Sequence, residues 1–467
     1  MIPERLQPVL TVVRPLADRF VAAGHDVYLV GGIVRDLVLD RVSPGADLDL
    51  TTDARPEQTM ALLADWADAV WTQGQAFGTI GARVGDTVFE VTTHRAEAYR
   101  EDSRKPHVVY ADDVTDDLAR RDFTVNAMAL RLPDAELVDP HGGVTDLAAG
   151  RLRTPLAPEV SFSDDPLRML RAARFIAGYG LTPDPELVAA VEALRGRLEI
   201  VSAERIRDEL SKLLVVDDPS AGLWFLADTA LSDEFLPELR AMRLEQDPIH
   251  RHKDVLAHTI AVVAKTSPRL VLRLAALLHD VGKPKTRSIG PKGVSFHHHE
   301  VVGARMAADR LRALRYSKDT IDDVRRLVFL HLRFHGYRDD VWSDAAVRRY
   351  ARDAGPLLDD LNELTRCDCT TRNERRARML AARMDDLESR IAELREREEL
   401  GAIRPDIDGN RVMELLGVGP GRDVGEALSM LLEARLDEGP LGEDEAERRV
   451  LAWWQARRAP VGDGDDG

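Results

Sequence analysis

Leu29-Val30-Gly31-Gly32-Ile33-Val34-Arg35-Asp36, followed by Asp47-Leu48-Asp49-Leu50-Thr51-Thr52, decides the fold of this chain. The first stretch predicts an apolar strand, a double-glycine turn and the start of a helix; the second predicts another strand. Residues two apart on a strand point to one face, so Asp47 and Asp49 stand side by side while Leu48 and Leu50 face a core. Neighbouring carboxylates repel unless something positive lies between them. The pattern asks for a magnesium pair about 3.5–4 Å apart, which clamps a triphosphate for in-line displacement. Glycines allow close approach of the backbone to phosphate oxygens, and a helix N-terminus behind them favours anions. Paired Asp residues alone usually mark solvated surface or a turn. Behind a Gly-Gly strand-to-helix turn they mark phosphoryl-type transfer chemistry.

At 467 residues the chain is too long for one ordinary core, and about three or four domains are expected. No charged segment followed by an apolar stretch opens the sequence, and no run approaches a membrane span, so a cytoplasmic protein without membrane contact is expected. Cys367 and Cys369 are too close for an ordinary structural disulfide. The net charge of −17 opposes tight non-specific nucleic-acid binding but leaves room for a local basic groove, and Ala304 to Arg352 is rich in Arg. Residues 461–467 are acidic and expected to be disordered.

Up to about Gly150 short strand-like runs alternate with helical ones. Tyr28–Val30, Ala46–Leu50, Gly78–Val84, Thr87–Thr92 and Leu137–Val138 predict a mixed sheet, with Gly85-Asp86 as a tight hairpin turn. Ala98 to Asp113 has no periodicity and much charge, and reads as a mobile loop. Asp165–Tyr179, Pro185–Arg195 and Ala203–Leu214 carry helical spacing, and His250 to Trp454 is mostly helical. The fold class is α+β: a small mixed-sheet head followed by an all-α body.

Two further clusters follow the acidic pair. In Arg120-Arg121-Asp122-Phe123-Thr124-Val125-Asn126-Ala127, a helix would place Asp122 and Asn126 one turn apart beside Arg121. Arg offers a planar fork to phosphate oxygens, and Asn with Asp can bond ribose hydroxyls; a capped surface helix with a local ion pair fits equally well. In Asp164-Asp165-Pro166-Leu167-Arg168-Met169-Leu170-Arg171, the bland reading is an Asp cap with an Asp–Arg pair. The sharper reading is a template of one acceptor and one donor fork. Cytosine and adenine each present an amine beside acceptor atoms and match Asp165 and Arg168. Uracil and guanine set a carbonyl against the carboxylate and are rejected.

These motifs, in this order and spacing, resemble class II tRNA nucleotidyltransferases, the CCA-adding enzymes, over roughly Leu6 to Leu214. Gly31, Gly32, Val34, Arg35, Asp36, Asp47 and Asp49 match the first family motif, and Arg120 to Ala127 the second. Asp164, Asp165 and Arg168 match the base-selecting motif, with Asp164 where the family has Glu, and Ser202 to Leu210 resembles a supporting helix. Poly(A) polymerases share the head, but Phe89 to Arg95 is more similar to the CCA-adding enzymes. The charged loop around Arg100 to Lys105 argues for addition of all three nucleotides over CC-only addition. Glu90 is either a third acidic contributor near the metals or part of a strand-face salt bridge.

In the body, His258, Leu277-Leu278-His279-Asp280-Val281-Gly282-Lys283, His297-His298-His299, His331 and Asp368 follow one another in the order of an HD-type metal-dependent phosphohydrolase, which they resemble. Imidazole and carboxylate suit a divalent transition metal or, less well, Mg²⁺. His258, His279, Asp280 and Asp368 form one candidate site, which His299 and His331 extend to two metals; His298 competes with His299 for its place. A scaffold that keeps only the HD fold is the alternative. Arg372 to Leu400 reads as a solvated helical spacer. Gly417-Val418-Gly419-Pro420-Gly421 exposes backbone N–H groups before a helix, suited to a phosphate or to an ordinary turn, and resembles the family's tRNA-gripping tail.

The resemblance implies a nucleotidyltransferase head over 1–150, a helical neck for base selection and RNA binding over 151–240, an HD body over 245–375, and a helical tail over 376–460. The expected activity is template-independent addition of CCA to tRNA from CTP and ATP. Asp47 and Asp49 are the catalytic residues and hold Mg²⁺; Gly31, Gly32, Arg35, Arg121, Asp122, Asn126, Asp165, Arg168 and Arg171 contact nucleotide. A poly(A) or A-only polymerase, and an HD phosphodiesterase with a vestigial head, are the rivals. The sequence leaves the oligomeric state open.

Overall fold

The structure, a computed structural model, describes residues 6–42, 48–98, 107–244, 254–290, 293–336, 342–369, 374–398 and 403–458. Asp47, part of the charged segment around Arg100 to Lys105, and the acidic terminus lie outside them. The chain forms two compact units that meet in sequence at Arg240 and Ala241.

The first unit opens with α1 (Gln7–Ala22), β1 (Val27–Val30), α2 (Gly32–Val38), β2 (Leu48–Thr52), α3 (Pro56–Ala64), β3 (Ala69–Trp71), β4 (Thr79–Val84) and β5 (Thr87–Thr93). It continues through β6 (Arg95–Ala98), β7 (His107–Tyr110), α4 (Val114–Ala119), β8 (Ala129–Arg131), β9 (Glu136–Val138) and α5 (Gly143–Ala148). Seven strands make one sheet in the order β3-β4-β5-β2-β1-β8-β9, where β2 and β5 are parallel and the other neighbours antiparallel. Leu10, Val13, Leu16 and Phe20 of α1, with Ile33, Val34 and Leu37 of α2, pack on one face of this sheet against Leu29, Leu48, Leu50, Phe89 and Val91. The alternation in Leu48-Asp49-Leu50 therefore puts the two leucines into the core and leaves Asp49 on the opposite, exposed face. That face carries a second cluster of Tyr28, Val30, Val114, Leu118, Ala127 and Ala129.

The expected mobile loop from Ala98 to Asp113 is only partly that. His107–Tyr110 pairs antiparallel with Arg95–Ala98 as a separate two-stranded ribbon. Backbone pairing, not side-chain periodicity, holds a ribbon this short, so the charged composition concealed it. The expected helix from Arg120 is likewise absent: a single 3-10 turn, Thr124–Asn126, leads straight into β8. Gly143 allows that turn to pack, since a Cβ there would lie 2.2 Å from the Thr124 carbonyl oxygen.

The neck consists of β10 (Arg151–Leu152), α6 (Pro158–Asp164), α7 (Leu167–Tyr179), β11 (Thr182–Pro183), α8 (Pro185–Leu194), α9 (Ala203–Leu214), α10 (Ser220–Asp228) and α11 (Pro237–Ala241). Buried Met169, Ala172, Ala173 and Phe175 give α7 its apolar stripe, and the left-handed Gly180 (φ 65°) ends it.

The second unit contains α12 (Val255–Lys265), α13 (Leu270–Leu278), α14 (Lys283–Thr286), the hairpin β12 (Arg287–Gly290) and β13 (Gly293–Phe296), α15 (His299–Ala313), α16 (Lys318–Leu330), α17 (Asp344–Ala354), α18 (Leu358–Asp368) and α19 (Glu374–Glu398). α20 (Gly409–Leu416), α21 (Arg422–Glu438) and α22 (Glu443–Arg458) pack on a separate small core of Val412, Val424, Leu431, Ala446 and Val450. The hairpin interrupts what reads as continuous helix. α19 is not a solvated spacer: Met384, Leu387, Ile391 and Leu394, at a 3,4 spacing, form a buried stripe beneath its charges. Among the described residues no helix is long and apolar enough to cross a membrane.

Candidate functional site

Gly31 turns the chain from β1 into α2 with φ 77°, a conformation a side chain would strain. A Cβ at Gly31 would sit 3.0 Å from Arg121 Nη1 and 3.7 Å from Asp49 Oδ2. The double-glycine turn, one exposed carboxylate and one guanidinium thus meet at a single point. Glu90 lies directly beside Asp49 in the β2–β5 register and shares its exposed face. Among the described residues no cation pairs with Glu90, which removes the strand-face salt bridge and leaves two adjacent carboxylates of the kind that recruits a cation.

Arg35 is buried. Its Nε and Nη2 donate to Asp36 at 2.9 and 3.0 Å, and its Nη1 donates to Asn126 Oδ1 at 2.7 Å. Its guanidinium also stacks 4.1 Å from the Tyr179 ring centre. Asn126 Nδ2 in turn donates to Asp122 Oδ1 at 2.9 Å, and Arg171 Nη2 lies 2.6 Å from Asp122 Oδ2. Burial alone would raise the Asp122 pKa, but Arg171, Asn126 and Arg168 hold it below the ordinary value. Arg35, Asp122, Asn126 and Arg171 therefore form one network joining α2 to α7, built without the expected helix.

Asp165 precedes α7 and accepts from Leu167 N at 3.2 Å and from Arg205 at 3.0 Å, Arg205 coming from α9. Arg168 is 8 % exposed and donates to Ser161 Oγ at 2.8 Å and to the Arg120 carbonyl oxygen. The expected Asp165–Arg168 ion pair does not form. Both groups keep spare capacity, since a carboxylate has about four acceptor positions and a guanidinium about five donors. Asp117 was missed by sequence reasoning. It is a fully buried carboxylate bonded to Arg120 and Arg121, and its i, i+4 spacing to Arg121 was the available signal.

In the second unit, His258 from α12, His279 and Asp280 beyond α13, His299 opening α15, His331 closing α16 and Asp368 ending α18 converge. His258, His279 and Asp280 present ligand atoms within 4.8 Å of one another, as do Asp280, His299 and His331. Asp280 Oδ2 lies 3.2 Å from His279 Nε2, and its Oδ1 lies 3.5 Å from His299 Nε2, so one carboxylate faces both groups. His258 Nε2 is 2.8 Å from Asp368 Oδ1. His279, His299 and His331 each place Nδ1 on the carbonyl oxygen three residues back, at 2.7, 2.8 and 2.6 Å, which turns Nε2 inward as metal-binding imidazoles require. Nε2 of His299 and of His331 is buried without a hydrogen-bond partner, so the donor set fits a metal. His299 is inside, whereas His298 is exposed with φ 60°, which resolves the register. Burial opposes charge on His279, yet Asp280 and Asp368 raise its pKa to about 10; burial and that neighbouring charge lower His331 to about 3. Lys283, also unforeseen, donates to Asp280 at 2.7 Å.

Family models match in three places: a poly A polymerase head domain over 27–153, a probable RNA and SrmB-binding site of polymerase A over 180–242, and an HD domain over 255–395. An A-adding tRNA nucleotidyltransferase of Deinococcus radiodurans is 34% identical over 448 residues, covering 91% of this chain and 95% of that one. A CCA-adding enzyme of Bacillus subtilis is 37% identical over 230 residues, 49% of this chain and 56% of that enzyme. Among solved structures, the Bacillus stearothermophilus CCA-adding enzyme in complex with CTP shares the fold with a TM-score of 0.70 at 22% identity, over 98% of this chain and 99% of that one. The Thermotoga maritima CCA-adding enzyme complexed with tRNA gives 0.59 at 19% identity, over 97% and 96%. With a relative matched along nearly its whole length and the same order of head, RNA-binding and HD segments, this chain belongs to the tRNA nucleotidyltransferases that carry a poly(A) polymerase-type head and an HD domain.

Proposed function

We propose that this chain adds CCA to the 3′ end of tRNA from CTP and ATP, without a template and in the cytoplasm. The observation that carries the reading is the meeting of Asp49, the Gly31-Gly32 turn and Arg121 on one open face of the sheet. The tRNA 3′-oxygen forms a bond to the α-phosphorus, and the bond from that phosphorus to the bridging oxygen breaks to release pyrophosphate. Asp47 and Asp49 would hold Mg²⁺, which supplies Lewis-acid stabilisation of the attacking and leaving oxygens. Gly31-Gly32 and Arg121 hold the triphosphate, Asp165 and Arg168 read the base, and Arg35, Asn126, Asp122 and Arg171 keep α7 in place for that reading.

A-only addition is the second reading, favoured by the near-full-length similarity to an A-adding enzyme. Purified protein given tRNA lacking CCA, or tRNA ending in CC, with each labelled triphosphate separates the two. CTP use on the truncated tRNA supports CCA addition; ATP use on the CC-ended substrate alone supports A-only addition. Use of neither overturns both.

The HD residues support a second, hydrolytic activity on phosphate esters. His258, His279, Asp280 and Asp368 would hold one divalent metal and His299 with His331 a second, shared through Asp280, supplying an activated water for attack on phosphorus. Phosphate release from phosphomonoesters or cyclic nucleotides with Mn²⁺, Ni²⁺, Co²⁺ or Mg²⁺ tests it. No release with any of them favours a scaffold.

A further inference from the structure

Arg120 and Arg121 are adjacent and identical in type, yet the structure gives them different surroundings. Arg120 turns Nε and Nη2 onto Asp117 Oδ1, at 3.0 and 2.6 Å. Arg121 gives Asp117 Oδ2 only Nη2, at 3.1 Å, and lays Nη1 against the Gly31 turn. Asp117 Oδ1 also accepts the Arg95 backbone N–H at 3.3 Å, so this one carboxylate anchors the base of the β6–β7 ribbon as well. The carbonyl of Arg120 takes the Arg168 guanidinium, whose other end is fixed by Ser161 Oγ.

Burying a carboxylate completely costs several kcal/mol unless cations and donors compensate it. Asp117, with 0% side-chain exposure, has two such cations. A fold needing only a filled space there would use an apolar residue at lower cost. The carboxylate instead fixes the direction of a guanidinium, which holds its planar fork only while its partner stays put.

We infer that Asp117 is the positioning residue of the transfer site: it aims Arg121 at the triphosphate directly and sets Arg168 at the base through Arg120. The inference rests on the assignment of Arg121 to the triphosphate and Arg168 to the base. One carboxylate then couples how tightly a nucleotide is held to which nucleotide is accepted. Asp117 touches no substrate itself. Its loss shows as looser nucleotide binding together with poorer base choice.

The test uses the full chain, a CC-ended tRNA, and the variants Asp117→Asn, Asp117→Glu, Arg121→Ala and the Asp117→Asn/Arg121→Ala pair. Asp117→Asn is expected to raise KM for ATP by about tenfold and to lower the preference for ATP over UTP and GTP, with Asp117→Glu recovering part of both. In the Arg121→Ala background the same Asn substitution is expected to move KM by less than about threefold, because its target is already gone. If Arg121→Ala raises KM while neither Asp117 variant moves KM or base preference, Asp117 is a buried structural pair and the inference falls, with the triphosphate assignment intact. If Arg121→Ala leaves KM unchanged, the triphosphate assignment fails first and takes the inference with it. Should Asp117→Asn not fold, the shift in KM and base preference of Asp117→Glu relative to wild type decides: no shift overturns it.

Discussion

Two aspartates of the head show how burial divides labour between identical side chains. Asp49 is exposed on a strand whose leucines carry the packing, so Asp49→Asn is expected to leave Tm nearly unchanged and to lower nucleotide addition by several orders of magnitude. Near-normal addition by the folded variant would remove Asp49 from catalysis. Asp117 is fully buried. Burial works to raise its pKa, but Arg120 and Arg121 outweigh it and hold the carboxyl at about 2, below the ordinary 3.8. A pKa depressed by folding means that the ionised form stabilises the native state above the unfolded value, and that this contribution disappears as pH falls towards 2. The contribution is about 2 kcal/mol at neutral pH. In denaturant titrations the stability gap between wild type and Asp117→Asn should therefore shrink between about pH 4 and pH 2. A constant gap would mean that the arginines do not depend on the charge.

At the scale of elements, helix ends and close approaches place the ligands, and these were unevenly legible in the sequence. α9, Ala203–Leu214, falls where its periodicity put it, and β2 turns its leucines inward as the alternation requires. The Asp122–Asn126 contact survives without the helix expected to create it, because a 3-10 turn packed under Gly143 brings the two together. Local spacing cannot distinguish these cases, since the deciding contact is with a residue about twenty positions away. The β6–β7 ribbon and the Asp117 anchor escaped notice for the same reason. Gly282 carries a comparable long-range constraint in the HD unit: a Cβ there would lie 2.3 Å from the His299 carbonyl oxygen and 2.8 Å from the Gly303 nitrogen. Gly282→Ala must push the start of α15 away and move His299 relative to Asp280. Metal affinity of the HD centre should fall by about 10–100-fold, measured by titration with Mn²⁺ or Ni²⁺, with nucleotide addition as an internal control. Unchanged affinity would show that the contact relaxes without moving the ligand.

Across the whole chain, charge and chemistry are partitioned between the two units. Every assigned head and neck residue lies before Arg240, and every HD ligand lies between His258 and Asp368, so each site is assembled within its own unit. Neither constellation borrows a side chain from the other, and the networks that orient them are also separate: Asp117 and Asp122 in the head, backbone carbonyls and Lys283 in the HD centre. A substitution that disables one centre while preserving packing should therefore spare the other. Asp280→Asn is the suitable change, because it keeps the shape of a fully buried side chain facing both groups of histidines while removing the charge that a divalent cation needs. Removing the side chain outright would leave Lys283 without its carboxylate and cost about 3–5 kcal/mol in stability. The Asn variant is expected to lose metal binding and any metal-dependent release of phosphate, while its rate of nucleotide addition to tRNA stays within about twofold of wild type. Loss of nucleotide addition by a variant that folds and still binds tRNA would mean that the HD centre acts on the transfer site, and the two units would have to be treated as one coupled enzyme.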